Sequence, residues 1–252
     1  MIHSILIIGQ SNMAGRGFMN DGGLIENPNI LAMRNGIFRS MYRPVNPDRS
    51  FSGVCLAESF ADEYSKEHKE VQVGIIPCAD GGTCLDQWQV GSLLYDNAVN
   101  CARLAQRTSH IVAVLWHQGE GDCSEERYPH YEEKCLKIME NMRRELGIED
   151  VPLLLGGLGD YLVNYTGKTQ CAKYYLQINK AIENVAGRLP KCAFVSASGL
   201  APNPDNLHFS TPSLYEFGRR YYAEFEKLED KSRVFEEKSD MWSAIRTGIE
   251  HL

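Results

Sequence analysis

The sequence predicts a three-layer α/β/α sandwich around a five-stranded, mainly parallel central sheet. The first observation behind this prediction is alternation, because short continuous apolar runs alternate along the chain with longer segments of helical periodicity. The second is the character of the runs, which is typical of strands buried on both faces of a parallel sheet. Strand–helix–strand order implies right-handed crossovers, and these place helices on both faces of the sheet.

The predicted strands are apolar runs bounded by glycine, proline or polar residues. They are Ile5–Ile8, Val71–Ile76, Ile111–Trp116, Val151–Leu155 and Cys192–Ala197. The predicted helices cover residues 54–68, 94–107, 126–146, 171–188 and 212–229. Between the first strand and the first helix, residues 15–52 carry Gly, Pro and Asn without clear periodicity. We therefore expect a long irregular excursion there.

A length of 252 residues, 43% of them apolar, favours one compact domain with a sizeable core, predicted over residues 1–230. Residues 231–252 are charged but include apolar side chains at partly helical spacing. These are Phe235, Met241, Trp242, Ile245 and Ile249. We expect a helical extension that packs either on the same domain or on a partner subunit, so a homo-oligomer is one alternative.

Charge and composition exclude several classes of partner. The formal net charge is −7 and no run of Lys or Arg tracks a phosphate backbone, so no nucleic acid partner is expected. No stretch approaches the roughly 20 apolar residues of a membrane span. The start of the chain, Met1–Ser4, lacks a charged leader and a cleavage site, which predicts a cytoplasmic protein. The eight cysteines form no close CxxC pairs, so no metal site is expected.

The first candidate for chemistry is Ser11, in the segment Gly9-Gln10-Ser11-Asn12-Met13 directly after the first predicted strand. Ligands collect at the carboxyl ends of strands in open α/β sheets, and free backbone N–H groups there stabilise negative charge. Small polar residues are also common at tight strand-to-helix turns, so position alone does not establish a nucleophile.

A serine nucleophile needs a base within hydrogen-bond reach and a group that orients the base. Both occur in the loop after the last predicted strand, where Asp205 precedes His208 by three residues. Proline on either side of Asn203 stiffens this loop. Taken alone, the pair also fits a helix-capping aspartate beside an ordinary surface histidine.

Polar residues crowd the end of the predicted strand Ile111–Trp116, in the segment His117-Gln118-Gly119-Glu120-Gly121-Asp122. Capping of a following helix explains Asp122 but not its polar neighbours. A carboxamide such as Gln118 can donate a hydrogen bond to an oxyanion without carrying charge.

Paired glycines follow the predicted strand Val71–Ile76, in the segment from Ala79 to Trp88. Gly81 and Gly82 allow the backbone to approach a ligand closely, and one of their N–H groups could join that of Ser11 in an oxyanion hole. An ordinary glycine turn is the alternative.

Together these four segments resemble the SGNH hydrolases, specifically the branch of sialate O-acetylesterases and acetylxylan esterases known as carbohydrate esterase family 6. The resemblance covers Ile5 to Phe209 and implies a flavodoxin-like sheet. It implies that Ser11 is the nucleophile, His208 the base and Asp205 its partner. One difference is Gly121, where this branch usually has serine in a Gln-Gly-Glu-Ser-Asp pattern.

The resemblance also implies oxyanion donors from the Ser11 backbone, from a glycine of the second segment and from Gln118. Gly82 is the preferred glycine, with Gly81 as the alternative. Substrate-binding or orienting roles are expected at Asn12, Gly81, His117 and Glu120. No metal or organic cofactor is expected, because the serine, the base and the fixed dipoles supply each step.

The implied reaction is removal of acetyl groups from a small-molecule or oligosaccharide ester of the xylan or sialic acid type, through an acyl-enzyme. Arginines in the excursion, at positions 16, 34, 39 and 43, are candidates to bind a sialate carboxylate. Two other functions stay open at this point. One is a lipase or thioesterase on the same fold, and the other is a carbohydrate-binding protein without catalysis.

Overall fold

The computed structural model describes residues 1–167 and 172–238. Its strands are β1 (Ile2–Gly9), β2 (Ile30–Arg34), β3 (Ile37–Ser40), β4 (Gln72–Pro77), β5 (His110–His117), β6 (Leu153–Gly156) and β7 (Cys192–Val195). Its helices are α1 (Ser11–Ala14), α2 (Leu56–Glu67), α3 (Leu93–Ala105), α4 (Tyr131–Leu146), α5 (Tyr175–Arg188) and α6 (Thr211–Leu228). Every strand and helix predicted from the sequence is present, with ends shifted by a few residues.

The strands form one sheet in the order β3-β2-β4-β1-β5-β6-β7. All neighbouring strands are parallel except β2 and β3. The first strand lies at the centre, paired with β4 on one side and β5 on the other, and it is buried along its whole length. Chain order therefore reverses direction around β1, which is where open α/β sheets bind their ligands.

The prediction of five strands is wrong, because the described residues form a sheet of seven. The two additional strands, β2 and β3, come from the region 15–52 that we expected to be irregular. They form an antiparallel hairpin closed by Asn35 and Gly36, with φ of 52° and 79°. An Asn-Gly pair with two positive φ values is typical of a type I′ hairpin turn, so the local sequence did contain the signal.

Helices cover both faces of the sheet. Helices α2 and α6 pack against each other, with α2 on β2 and β4 and α6 on β6 and β7. The other group is α3, α4 and α5, in which α4 contacts both of its neighbours. This arrangement confirms the predicted three-layer sandwich. None of the helices in the part of the chain described above is long and apolar enough to cross a membrane.

The predicted extension 231–252 is described only in part. Residues 231–238 are not helical, and the Phe235 ring lies 4.6 Å from the His3 ring at the start of β1. The remaining apolar residues expected on the helix lie outside the described residues, as does Cys171 at the predicted start of α5; they are Met241, Trp242, Ile245 and Ile249.

Candidate active site

Three adjacent strands, β4, β1 and β5, bring three of the four predicted site segments to one edge of the sheet, and the fourth follows β7. Pairing continues past the strand ends, because the Gln10 N–H donates to the His117 carbonyl at 2.9 Å and the Asp80 N–H donates to the Gly9 carbonyl at 2.9 Å. Gly9 has φ of 128°, and a Cβ there would lie 2.1 Å from the His117 carbonyl oxygen. Only glycine fits this close approach, which brings the Ser11 turn against the end of β5.

Ser11, His208 and Asp205 form a continuous chain of hydrogen-bonding groups. The Ser11 Oγ lies 3.0 Å from His208 Nε2, and His208 Nδ1 lies 2.7 Å from Asp205 Oδ2. Ser11 begins α1 and is buried, whereas the Asp205 side chain is 47% exposed. The predicted nucleophile, base and orienting carboxylate are therefore brought together with the spacing that proton transfer requires.

The Asp205 carboxylate also organises its own loop. Its Oδ1 accepts hydrogen bonds from the backbone N–H groups of Leu207 and His208, at 2.9 and 3.0 Å. Burial acts to raise the pKa of Asp205, but the hydrogen bonds from the His208 side chain and from these N–H groups outweigh it and lower the pKa to about 2. Asp205 is therefore ionised at neutral pH and fixes the orientation of the imidazole.

Asn12 holds the loop that carries His208. Its Oδ1 accepts a hydrogen bond from the Phe209 N–H at 3.0 Å, and its Nδ2 donates to the Leu207 carbonyl at 3.3 Å. These contacts lie on either side of His208 in the sequence. Since Asn12 follows Ser11 directly, one side chain fixes the distance between the nucleophile and the base.

Glu120 contacts the Asn12 side chain, and His117 contacts Glu120. The Asn12 Nδ2 donates to Glu120 Oε1 at 2.6 Å, and the same oxygen lies 3.2 Å from His117 Nε2. Both residues are buried. Burial acts to raise the pKa of Glu120, but the charge of His117 and hydrogen bonds from His117, the backbone and Asn12 lower it overall. The structure thus brings both residues to Asn12 rather than to the Ser11 hydroxyl.

The glycine turn after β4 lies against the nucleophile. A Cβ on Gly81 would lie 3.3 Å from Ser11 Cβ, while the Gly81 N–H donates to Asp48 Oδ2 at 2.8 Å. Gly82 has φ of 77° and faces open space. Within the described residues, neither the Gly82 nor the Ser11 N–H has a protein acceptor. Two backbone donors beside the nucleophile are therefore available to a ligand.

The Gln118 amide points to the protein rather than to Ser11. Its Nε2 donates to Asp122 Oδ2 at 2.6 Å and to the Thr83 carbonyl at 3.2 Å. Asp122 Oδ2 also accepts the Leu85 N–H at 3.0 Å. Gln118 and Asp122 thus connect the end of β5 to the glycine turn, and a contact between Gln118 and an oxyanion stays a prediction.

The absence of a serine at position 121 has a steric reason. A Cβ at Gly121 would lie 2.5 Å from the Thr83 carbonyl oxygen. The Gly121 N–H also donates to Gln10 Oε1 at 3.2 Å, which connects this segment to the one that carries Ser11. In this chain the glycine turn packs too closely on position 121 for a side chain.

Residues of the region 15–52 outside the hairpin support the glycine turn, which sequence reasoning did not predict. Asp48 accepts two hydrogen bonds from Arg16, at 3.0 and 2.7 Å, in addition to the Gly81 N–H. Burial acts to raise the pKa of Asp48, but hydrogen bonds from Arg16, Ser52 and Gly81 lower it. The Asn46 side chain forms two further hydrogen bonds to the backbone of Ala79. Long-range pairs of this kind have no local signal along the chain.

The arginines considered as carboxylate ligands mostly have partners within the protein. Arg16 binds Asp48, Arg34 donates to the Pro44 carbonyl at 2.7 Å and Arg43 pairs with Glu58 at 2.7 Å. The fourth, at position 39, is exposed on the edge strand β3. Of these guanidinium groups, that of Arg16 lies against Gly81, which itself approaches the nucleophile.

A second cluster of histidines lies at the opposite edge of the sheet, at the start of β1. His3 Nδ1 lies 2.7 Å from the Tyr64 hydroxyl, and the His68 ring stacks on Tyr64 with centroids 4.0 Å apart. Burial and the neighbouring His68 lower the pKa of His3 to about 4. A cavity of about 430 Å³ opens here. None of its described lining residues is a serine, threonine or cysteine.

Comparison with known proteins gives concordant matches. A family model described as carbohydrate esterase, sialic acid-specific acetylesterase, matches residues 2–227. A probable carbohydrate esterase from Arabidopsis thaliana is 26% identical over 235 residues, covering 84% of this chain and 86% of that protein. A crystal structure of the Arabidopsis protein superposes with a TM-score of 0.78 at 26% identity, over 89% of this chain and 98% of that chain.

Two more distant structures share the fold. A carbohydrate acetylesterase from Xanthomonas citri has a TM-score of 0.66 at 16% identity, covering 90% of this chain and 56% of that chain. An acetyl xylan esterase variant from Geobacillus stearothermophilus has a TM-score of 0.56 at 14% identity, covering 91% and 97%. The family model spans nearly all of the described chain, and this confirms the resemblance inferred from the four segments. The chain therefore belongs to the carbohydrate esterase family that the model describes.

Proposed function

We propose that the chain is a serine esterase that removes O-acetyl groups from carbohydrates. The observation that carries this proposal is the continuous contact from Asp205 through His208 to the Ser11 hydroxyl, at 2.7 and 3.0 Å. Membership of a carbohydrate esterase family supports an ester substrate on a sugar. All the residues in this proposed chemistry lie within positions 11–208, which supports the prediction of one catalytic domain over residues 1–230.

The first half-reaction forms an acyl-enzyme. His208 Nε2 takes the proton of Ser11 Oγ as the oxygen attacks the acetyl carbonyl, and the ionised Asp205 stabilises the resulting imidazolium. The tetrahedral intermediate then collapses, the bond between the carbonyl carbon and the sugar oxygen breaks, and His208 gives its proton to that oxygen. In the second half-reaction His208 activates water, which releases acetate and restores Ser11.

The Ser11 and Gly82 N–H groups are the proposed oxyanion donors. The Gly81 N–H is bound to Asp48, so it is the less suitable of the two glycines. Gln118 is the proposed third donor, and it can act only if its amide releases the Thr83 carbonyl, the longer of its two hydrogen bonds. Each donor that reaches the oxyanion stabilises the transition state by a few kcal/mol, about 3 in a well-studied protease.

Neutral acetylated sugars fit the charges of the site better than sialic acid esters. A sialate carboxylate requires a cation that is not already paired. Arg16, the guanidinium beside the nucleophile, is bound on two atoms by Asp48. We therefore expect higher kcat/KM with acetylated xylo-oligosaccharides than with O-acetylated sialic acid.

The first experiment is hydrolysis of 4-nitrophenyl acetate by the parent protein and by Ser11→Ala, with folding of both checked by circular dichroism. We expect turnover by the parent only. Equal turnover would place the nucleophile elsewhere. Two folded but inactive proteins would instead support the carbohydrate-binding alternative.

A second experiment addresses the alternative of a lipase or thioesterase. It compares 4-nitrophenyl esters from acetyl to octanoyl with the parent protein. We expect kcat/KM to fall as the acyl chain lengthens, because the proposed substrate carries only an acetyl group. Constant or rising values would favour the long-chain alternative.

A further inference from the structure

One aromatic ring next to the candidate active site is left largely in water. Phe51 is 69% exposed, although burial of a phenylalanine ring stabilises a fold. The ring lies over Arg16, whose Cζ is 5.2 Å from the ring centroid. An Nη2 atom of the same guanidinium lies 2.3 Å from the point where a Cβ of Gly81 would be, and Ser11 Cβ lies 3.3 Å from that point. The Arg16 guanidinium thus contacts both the exposed ring and Gly81, the glycine that approaches the nucleophile.

The turn that carries Phe51 is held by hydrogen bonds at both of its ends. The Ser52 Oγ donates to Asp48 Oδ1 at 2.7 Å and accepts the Arg49 N–H at 3.0 Å. The Ser52 N–H donates to the Arg49 carbonyl at 3.1 Å. The ring is therefore presented on a constrained backbone, which lowers the conformational cost of binding against it.

The same turn is fixed to the glycine turn. Arg49 donates to Asp80 Oδ1 at 2.6 Å and to the Gly81 carbonyl at 2.8 Å. Since Asp48 also binds the Gly81 N–H, the position of Phe51 relative to the proposed oxyanion donors is set by direct contacts. The sugar of a substrate whose acetyl carbonyl binds at Gly82 would extend past the turn that carries Phe51.

We propose that Phe51 is a specificity-determining residue that packs against the sugar ring bearing the acetyl group. This inference rests on the proposed esterase function and names its sugar-side contact. One face of a neutral pyranose carries mainly C–H groups, which pack on an aromatic ring, while its hydroxyl groups stay in water. Contact remote from the reacting carbonyl contributes binding energy that a sugar-free ester does not obtain.

The test compares kcat/KM for acetylated xylobiose with kcat/KM for 4-nitrophenyl acetate, as a ratio within each variant. In Phe51→Ala we expect this ratio to fall about fivefold, mostly through a higher KM for the sugar ester. Phe51→Tyr keeps the ring, so we expect it to retain the ratio of the parent. Val234→Ala is the matched control, because it removes an exposed apolar side chain beside Phe235 at the opposite edge of the sheet.

The outcomes separate this inference from the function on which it rests. A parent that hydrolyses both esters, with the same ratio in Phe51→Ala, would overturn the sugar contact and leave the esterase function intact. An equal loss on both esters in Phe51→Ala would also overturn it, since the ring would then act on the nucleophile through Arg16. A folded parent inactive on 4-nitrophenyl acetate would overturn the function and the contact together. A parent active on that ester alone would overturn the contact.

Discussion

The two edges of the central sheet both carry histidines, but in different chemical settings. At the carboxyl edge, His208 lies between the Asp205 carboxylate and the Ser11 hydroxyl. At the amino edge, His3 contacts the Tyr64 hydroxyl and lies 4.6 Å from the Phe235 ring. The comparison indicates that a histidine is suited to act as a base by its partners, with a carboxylate on one ring nitrogen and a hydroxyl nucleophile on the other.

The direction of the strands explains the difference. At the carboxyl edge the chain turns out of β1 and β4 with free N–H groups at Ser11 and Gly82, which suit a developing negative charge. At the amino edge, burial depresses the pKa of His3 and keeps the ring neutral near pH 7. The carboxyl edge therefore offers free donors to a developing negative charge, whereas the amino edge keeps the His3 ring uncharged.

The largest expected difference between the edges is in turnover. His208→Ala should lower kcat/KM for 4-nitrophenyl acetate by about 10⁴-fold, because proton transfer to and from Ser11 is lost. His110→Ala, at the amino edge, is the control and should keep the rate of the parent. Stopped assays with each purified variant measure both. Comparable losses in the two variants would mean that His208 is not the base.

The Asn12 contacts predict the next largest effect. Asn12→Ala removes both hydrogen bonds that flank His208 and the one that Asn12 donates to Glu120, so we expect kcat to fall about 100-fold, with a smaller change in KM. It also leaves a buried carboxylate with one fewer donor, and the free energy of unfolding should drop by about 2 kcal/mol. Asn141→Ala, which removes a peripheral amide on α4, is the control. A change in stability without a change in kcat would show that Asn12 does not position the base.

Asp48 predicts a smaller effect, transmitted through the glycine turn. Asp48→Asn keeps the shape of the side chain but weakens its hydrogen bonds to Arg16 and to the Gly81 N–H, so we expect kcat to fall about tenfold. Asp86→Asn, an exposed carboxylate in the 3₁₀ turn after the glycines, is the matched control. Steady-state kinetics measure kcat for both variants. Equal values of kcat would show that Asp48 does not support the proposed oxyanion donors.

The smallest expected effect belongs to the amino edge and concerns stability rather than turnover. The pKa of His3 is about 4 in the folded protein and 6.5 as a free side chain. Between these values the unfolded chain binds a proton that the folded one does not, so stability falls as pH falls from 6.5 towards 4. His3→Gln should flatten this decline by at most about 1.4 kcal/mol per pH unit and leave kcat unchanged.

Denaturant unfolding at pH 7, 6, 5 and 4 measures the effect of this substitution. An identical decline in the parent and the variant would assign the acid sensitivity to other groups. His68 and Glu229, which lie 3.1 Å from each other beside the same cavity, are two of these groups. A change in kcat in His3→Gln would show that the amino edge of the sheet also affects turnover.

Much of this architecture could be predicted from the sequence. Continuous apolar runs are sufficient to locate a strand buried on both faces, and β5 is an example, since it is buried over nearly its whole length. The hairpin β2–β3 was missed because its strands are short and follow a segment without periodicity, even though Asn35 and Gly36 close it. An Asn-Gly turn predicts a hairpin only when the strands on both sides of it are also recognised.

Some residues of the candidate site could likewise be predicted from the sequence, and others could not. Ser11, Asp205 and His208 could be identified because each follows a strand and their chemistry restricts the residue types. The support of the glycine turn by Asp48 could not be predicted, because it depends on a tertiary contact between the region 15–52 and that turn. The direction of the Gln118 amide is likewise set by Asp122, and sequence order does not reveal which of two acceptors an amide selects.

The contact between Ser11 and His208 joins positions that are 197 residues apart. During synthesis on the ribosome, Ser11 therefore leaves the exit tunnel long before His208. In the proposed mechanism, the serine of a nascent chain stays inert until Phe209 has emerged and bound to Asn12. The first appearance of esterase turnover would then report the time at which the fold is complete, with no label attached to the protein.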